Sequence, residues 1–388
     1  MALRILIAGG GVGGLCLAQG LRRTGAEVTV FERDPAIAVR EQGYRIHIDD
    51  NGDAALAHCL PAELYELYLA TSNKQSSAVN RLTLREILAH GLDDILHFNA
   101  TVTGFAEHAD RVEVHCADGR TVTGDVLIAA DGINSPVRSQ FLPGAEPTDT
   151  GLRCIYGRTP LSATTVPPRL HNAFTATSDR HGHTLALAVF DPREPISGPF
   201  LTPVSGYLMW AVITPAQPLR SRILPSRIFR SRMFRSRILR SGNIRDGIFP
   251  DRNTSADPAA LHQLALRLIR RMDPELRTLV EHAEPEACLA IPIHTSVPVP
   301  PWPTGRVTLL GDAIHAMTPA GGQGANTALR DAALLTDELT AVHEGREELH
   351  PALARYEARM REYGFAAVAA SLRAVDMVLP TAKQEATR

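Results

Sequence analysis

The chain has 388 residues, 44% of them hydrophobic and 21% charged, with a net charge of −2, the make-up of an ordinary globular protein large enough for two or three lobes. Five cysteines, Cys16, Cys59, Cys116, Cys154 and Cys288, are scattered, odd in number and never spaced C-x-x-C, which excludes a disulfide framework or a cysteine metal site and fits a reducing cytoplasm. Residues 5–21 carry no charge, but the glycines inside that run argue against both a membrane span and a signal-peptide core.

Residues 3–14, LRILIAGGGVGG, read as a buried strand entering a glycine-rich turn. Gly9, Gly11 and Gly14 stand at G-x-G-x-x-G spacing, and Leu15, Leu17, Ala18 and Leu21 continue as a helix. In a dinucleotide fold the first glycine makes the turn, the second lets backbone approach a pyrophosphate, and the third lets helix pack on strand. The pyrophosphate then sits at the helix N-terminus. Residues 27–32, EVTVFE, form a second strand whose final acid, Glu32, follows Gly14 by eighteen residues, where the fingerprint places a carboxylate for a ribose hydroxyl. As a strand-end acid, Glu32 is expected to have no packing duty.

Residues 40–48 are expected as a loop entering a strand, and residues 52–69 as a helical stretch broken at Pro61. Residues 79–87 begin a further helix with Leu82, Ile87 and Leu88 inward and Arg81 and Arg85 near its start and on its flank. Residues 95–105 and 111–116 alternate as strands, and Ala117-Asp118-Gly119-Arg120 is a hairpin turn. Residues 126–130, VLIAA, are a continuous apolar run ending at Asp131-Gly132, as in a buried parallel strand that delivers its C-terminal end to a ligand.

From about residue 151 to 287, frequent prolines and short β-like runs at 184–190 and 207–213 point to a separate sheet domain. Within it, residues 221–240 repeat a five-residue unit four times, SRILP SRIFR SRMFR SRILR, and residues 220–245 hold nine arginines and no acid. A five-residue period matches neither helix nor strand and cannot keep one apolar face inward. The segment reads as an expanded exposed loop, or as a contact for an acidic partner or a membrane surface. No nucleic-acid-binding fold or aromatic platform accompanies it, so nucleic acid is not an expected partner. Residues 257–281 are helical, and residues 305–310, GRVTLL, form a strand opening onto Gly311-Asp312-Ala313-Ile314-His315. Residues 319–326, PAGGQGAN, lead a long helix through Leu339, and residues 351–378 form a last helix.

Three stretches, GGGVGG with Glu32, VLIAADGINSPVR at 126–138 and RVTLLGDAIHAMTPAGGQGAN at 306–326, together resemble the single-component FAD-dependent monooxygenases of the para-hydroxybenzoate hydroxylase type, over roughly residues 1–160 and 285–375. The surroundings of Arg81 and the phrase DTGLRCIYGRTPL are most similar to the branch of tetracycline-inactivating monooxygenases and aromatic polyketide hydroxylases. The resemblance implies an α/β fold, a Rossmann-like FAD-binding domain with a second β-sheet substrate domain and a C-terminal helix. The implied boundaries are 1–150 and 288–345 for the two parts of the FAD-binding domain, 151–287 for the substrate domain and 346–388 for the C-terminal helical segment.

By the same resemblance Gly9, Gly11, Val12, Gly13 and Gly14 hold the FAD pyrophosphate, Glu32 holds the adenosine ribose, and Arg33 and Arg40 border adenine and ribose. Arg81 reaches the pyrophosphate or ribityl chain, and Val102 meets adenine through its backbone. Asp131 and Gly132, supported by Arg138, match a motif implicated in FAD and NAD(P)H binding. Gly311 and Asp312 stand at the ribityl hydroxyls, and Pro319, Gly322, Gly324, Ala325 and Asn326 pass backbone along the isoalloxazine. Arg45 and His47 run near the ring, where either could touch substrate, and His315 has a packing or hydrogen-bonding role beside catalysis as its alternative.

The activity implied is insertion of one oxygen atom from molecular oxygen into an electron-rich aromatic or polyketide-like molecule. NAD(P)H is a transient reductant, since no second G-x-G-x-x-G follows a later strand. The alternatives are an FAD-dependent dehydrogenase or reductase without oxygen insertion, and a non-enzymatic flavin-binding partner protein. The W-x-W-x-I-P signature of flavin halogenases is missing, with only Trp210 and Trp302 present. No metal is expected.

Overall fold

The computed structural model describes residues 2–39, 45–171, 174–216 and 257–378. In chain order the first half forms β1 (Arg4–Ala8), α1 (Val12–Arg22), β2 (Glu27–Phe31), β3 (Arg45–His47), α2 (Asp50–Cys59), α3 (Ala62–Thr71), β4 (Ala78–Asn80), α4 (Arg81–Ala89), β5 (Leu96–His97), β6 (Val102–Glu107), β7 (Val112–Cys116), β8 (Thr121–Gly124), β9 (Val126–Ala129) and α5 (Pro136–Phe141). There follow β10 (Thr148–Pro160), β11 (Thr175–Ser178), β12 (Thr184–Phe190), β13 (Tyr207–Pro215), α6 (Pro258–Leu268), α7 (Pro274–Glu281), β14 (Leu289–Thr295), β15 (Val307–Leu309), α8 (Asp312–His315), α9 (Gly324–His343) and α10 (Leu349–Val378). The described residues of Met1–Thr148, Phe190–Ser205 and His294–Val375 make one unit, and those of Asp149–Val189, Gly206–Ile293 and Asp376–Arg388 a second. The repeat at 221–240 and Arg40 lie outside the described residues.

In the first unit β1 is apolar on both faces, with Ile5 to Ala8 at most 2% exposed, which requires cover on each side of the sheet and favours parallel pairing through helical crossovers. The sheet has the order β15-β9-β1-β2-β5, every pair parallel. The chain leaves β1 through α1 to reach β2 on one side, whereas β9 pairs with the other side of β1. The direction of winding therefore reverses beside β1, where open α/β sheets bind ligands. Ala8 stands opposite both Phe31 and Ala129, and Leu309 opposite Ala129. Gly9, Glu32, Ala130 and Leu310 thus emerge side by side at one end of the sheet.

Local signals set the helix starts. Asn80 Oδ1 accepts from the Leu82 and Thr83 amides, so α4 begins at Arg81, while Val79 pairs with Ile46 in the β3–β4 ribbon. The expected strand over 95–105 is two strands, β5 and β6, because Asn99 between them adopts a left-handed φ of 54°. The hairpin between β7 and β8 turns at Gly119, φ +87°.

The second unit is an antiparallel sheet of order β11-β12-β13-β10-β14. Ile155, Leu185, Leu187, Leu208, Trp210 and Val212 alternate onto one face and pack against Leu261, Leu264, Leu276 and Leu279 of α6 and α7. The expected helix over 257–281 divides into these two because Asp273 caps the Glu275 amide and Pro274 takes the first helical position. Trp210 fills the space above Gly157, where an added Cβ would lie 2.1 Å from the indole. Gly157→Ala is expected to destabilise the protein by about 1–3 kcal/mol through overpacking, read as a fall in unfolding temperature; an unchanged value would show that the indole shifts freely.

Candidate cofactor site

The turn after β1 is closed on two sides and open on a third. Gly9, at φ +110°, would place a Cβ 2.3 Å from the Ala130 carbonyl oxygen, and Gly14 would place one 2.1 Å from the Gly9 oxygen. Nothing lies within 4 Å of the corresponding position at Gly11. Gly11 is the N-cap of α1, with no capping side chain and no acid in the first turn, so unpaired amides and the positive end of the helix face that open space. Val12 and Gly13 continue the turn into the buried body of α1.

Glu32 corrects the sequence reading. Its Oε2 accepts from the Gly10 amide at 2.9 Å and its Oε1 from the Asp34 amide at 2.8 Å, so the acid braces the turn instead of standing free. Arg85, expected on the flank of α4, is buried. Its Nε and Nη2 donate to the Gly10 carbonyl, its Nη1 to the Ile37 carbonyl, and Nη2 lies 3.5 Å from Glu32. Helical periodicity gives no hint of this role, since a buried arginine looks like a flank residue until its carbonyl partners are placed.

Asp131 and Asp312 carry the unspent charge. Both Asp131 oxygens are buried, and among the described residues only weak, poorly aligned donors, the Ser135 hydroxyl and nearby backbone amides, reach them. Burial pushes its carboxyl up to about 6, while Ser135, the local backbone and Arg138 pull it the other way. Asp312 opens α8 with an exposed side chain, yet protein crowds around it densely enough to raise its pKa, an effect opposed by His315 and Arg81. Asp312 is thus reachable from solvent and yet closely surrounded by protein. An added Cβ at Gly324 would lie 4.0 Å from its Oδ1, so the loop before α9 converges on the same carboxylate. Arg138 joins the two aspartate motifs: it is 2% exposed and donates to the Ala313 carbonyl at 3.2 Å and to Glu146 at 3.2 Å.

A buried carboxylate without well-aligned donors, an uncapped helix end over an empty glycine position and a closely surrounded but accessible acid fit a ligand with a pyrophosphate and a hydroxylated chain. Among the described residues no group of three or more His, Cys, Asp or Glu is placed to hold a metal ion. The FAD binding domain model matches residues 267–371, and the lycopene cyclase protein model matches residues 4–160. A FAD-containing monooxygenase of Photorhabdus luminescens subsp. laumondii is 31% identical, with 98% of this chain and 100% of that one superimposed at a TM-score of 0.80. The chain belongs to the FAD-containing monooxygenases. It is also 30% identical over 397 residues to a dual O-methyltransferase/FAD-dependent monooxygenase of Phaeosphaeria nodorum, covering 89% of this chain and 41% of that one. The chain thus spans less than half the length of that curated relative. A tetracycline destructase at 19% identity, covering 99% of this chain and 94% of that one with a TM-score of 0.67, shares the fold.

FAD fits the cradle, and the remaining expected residues distribute around it unevenly. Arg33 is exposed at the end of β2, Val102 is buried at the start of β6, and Gly132, at φ +79°, has nothing within 4 Å of an added Cβ. Arg81 is half-buried at the first position of α4. Pro319 is exposed and its carbonyl accepts from the Gly322 amide, and Gly324 and Ala325 open α9, which has no side-chain cap and no acid in its first turn. The Asn326 side chain bridges neighbouring backbone: Nδ2 donates to the His47 and Gly322 carbonyls, and Oδ1 accepts from the Asp49 amide. His47 is exposed beside Gly322, and Arg45 donates to Ser76 Oγ at 3.1 Å.

Behind Asp312, His315 is fully buried with Nε2 2.6 Å from Asp331 Oδ2. Burial disfavours its charged form, but the Asp331 carboxylate, by charge and hydrogen bond, and Asp312 together raise its pKa above the ordinary value. Asp331 gives no sequence signal beyond one acid on a long helix, and its role follows from its contacts alone.

Gly11→Ala should leave the unfolding temperature of the apoprotein unchanged and weaken FAD by about tenfold, measured by flavin fluorescence titration; wild-type affinity would mean that the open face is not the pyrophosphate side. For Asp131 the folded pKa is raised, so the stability it allows is greatest in the ordinary carboxylate range and is lost as pH rises through about 6. Asp131→Asn should therefore raise apoprotein stability at neutral pH and flatten that part of the pH–stability curve, measured by thermal unfolding, while weakening FAD or NAD(P)H binding. A variant less stable than wild type at neutral pH would contradict the assignment of an uncompensated charge.

Proposed function

We propose that the protein is an FAD-dependent monooxygenase that uses NAD(P)H and molecular oxygen to insert one oxygen atom into an aromatic or polyketide-like small molecule. The observation that carries this reading is the row of strand ends that brings the glycine turn, Asp131 and Asp312 to one edge of the parallel sheet. When bound, FAD supplies the redox chemistry, accepting a hydride from NAD(P)H and passing electrons to oxygen. Gly11 and the first amides of α1 hold the pyrophosphate, and Asp312 takes the ribityl hydroxyls. The uncapped N-terminus of α9, with no acid in its first turn, would favour negative charge on a bound ring, since its amides and dipole are already oriented. Asp131 and Gly132 stand where a second nucleotide could be received, next to a glycine with open space around it.

Substrate is assigned to the second unit. The sheet face opposite α6 and α7 carries Cys154, Ala186, Ala211 and Ile293, with Leu152, Tyr156 and Ile213 around them. Small apolar side chains over this breadth suit a flat ring system more than a charged metabolite. The five cysteines are free and buried, which supports a reducing, cytoplasmic setting. No helix among the described residues is long and apolar enough to cross a membrane.

The test is the visible spectrum of the purified chain, with NAD(P)H oxidation followed in air against a panel of phenols and polyketides and product mass measured under oxygen-18. Substrate-stimulated oxidation with one labelled oxygen in the product is expected. Oxidation with an unlabelled product would replace the reading by a dehydrogenase or reductase. Bound FAD with no turnover on any substrate would replace it by a flavin-binding protein without catalysis.

A further inference from the structure

Resting on the assignment of the FAD site, we propose that Asp331 is its positioning residue: clamped by His315 and Tyr363, it fixes the Gly311 amide and so aims the Asp312 carboxylate. Asp331 is fully buried in α9 and receives three donors on two oxygens. Oδ2 accepts from the Gly311 amide at 2.8 Å and stands 2.6 Å from His315 Nε2, and Oδ1 accepts from the Tyr363 hydroxyl at 2.5 Å.

The geometry makes this more than a staple between helices. Gly311 precedes α8 and His315 ends it, so one carboxylate oxygen holds both ends of a helix of four residues. That helix is too short to define its own direction, since an isolated turn gains little from its internal hydrogen bonds. Its first residue is Asp312. Gly311 has φ +61° and ψ −143°, a conformation that only glycine adopts without strain; its carbonyl accepts from the Ile314 and His315 amides, and its own amide is held by Asp331. A rotation at Gly311 would reach the Asp312 carboxylate within one residue.

The third donor fixes Asp331 itself. Tyr363 comes from α10, and its neighbour Gly364 leaves room for the imidazole, because an added Cβ would lie 2.7 Å from His315 Cδ2. The Arg330 guanidinium rests 4.0 Å above the Tyr363 ring, holding the phenol by cation–π attraction. Tyr363 and Arg330 also line a cavity of about 300 Å³ with Gln323 and Asn326, so the clamp borders the loop that approaches Asp312 from the other side. A carboxylate with all its donors in place is rigid, and removing one donor leaves a buried charge seeking another partner.

The experiment uses apoprotein of the full chain, with FAD affinity from flavin fluorescence titration and the unfolding temperature of each apoprotein measured in parallel. Asp331→Asn keeps the shape but loses the charge and one acceptor, and is expected to weaken FAD by about tenfold or more. Tyr363→Phe, which leaves the Gly311 and His315 bonds in place, should weaken FAD several-fold, with only a modest fall in apoprotein unfolding temperature from the lost donor. His315→Gln retains a donor near the Nε2 position and should bind FAD within about twofold of wild type, whereas His315→Leu should fall with Asp331→Asn. That rescue is the outcome a purely structural staple would not give. Wild-type affinity in Tyr363→Phe and His315→Leu, or losses that only follow falling apoprotein stability, would overturn the proposal. Wild-type apoprotein that takes up no FAD would instead overturn the reading of the site, and the proposal with it.

Discussion

The register of one parallel sheet is the constraint on which the rest of the site depends. Because β1, β2, β9 and β15 all run the same way, with Ala8 opposite Phe31 and Ala129 and Ala129 opposite Leu309, their following residues leave the sheet at a single edge. Gly9 and Asp312, more than 300 positions apart along the chain, come to the same sheet edge for that reason, with β9 between their strands. Antiparallel pairing of any one strand would send its terminal motif to the opposite edge. The close packing of α1 over this edge requires Gly14 against the Gly9 carbonyl, so the cradle and the sheet are specified by the same contacts.

Charge is distributed at that edge in two classes. Glu32 and Asp331 are satisfied: two amides and a nearby guanidinium for the first, an amide, an imidazole and a phenol for the second. Asp131 has no well-aligned donor among the described residues and Asp312 is reachable from solvent, and both carboxyls are raised by their surroundings. The satisfied acids hold backbone in place, and the others are the ones the proposed reading gives to a ligand. Folding alone gives no reason to keep a buried carboxylate without well-aligned donors, since that arrangement costs free energy. The division between bracing and binding acids thus follows from hydrogen-bond counts and not from residue type.

Glu32 illustrates how sequence and structure part company. The spacing from Gly14 correctly places an acid at the end of β2 beside the glycine turn, but the expectation that it has no packing duty fails, because Gly10 and Asp34 turn their amides onto it. Arg85 fails in the opposite direction, from flank residue to buried brace. Val126 to Ala129 and the hairpin at Gly119 follow their apolar run and turn residues without correction. The stretches that divided against expectation, 95–105 and 257–281, did so at a left-handed Asn99 and a capped proline start at Asp273-Pro274. Both are backbone decisions made by one or two residues inside a longer apolar pattern.

What the sequence by itself determined is the set of local units: strand, glycine turn and helix at residues 3–22, apolar strands ending in Asp131 and Asp312, and a sheet-forming middle segment. These are legible because periodicity, glycine spacing and capping residues act within a few positions of one another. Only the tertiary structure decided which acids are spent and which are free, and that Asp331, His315 and Tyr363 stand behind Asp312. Those assignments depend on pairings between residues 16, 20 and 32 positions apart, and burial turns such pairings into strong preferences through desolvation, a quantity that no single residue carries in its own identity.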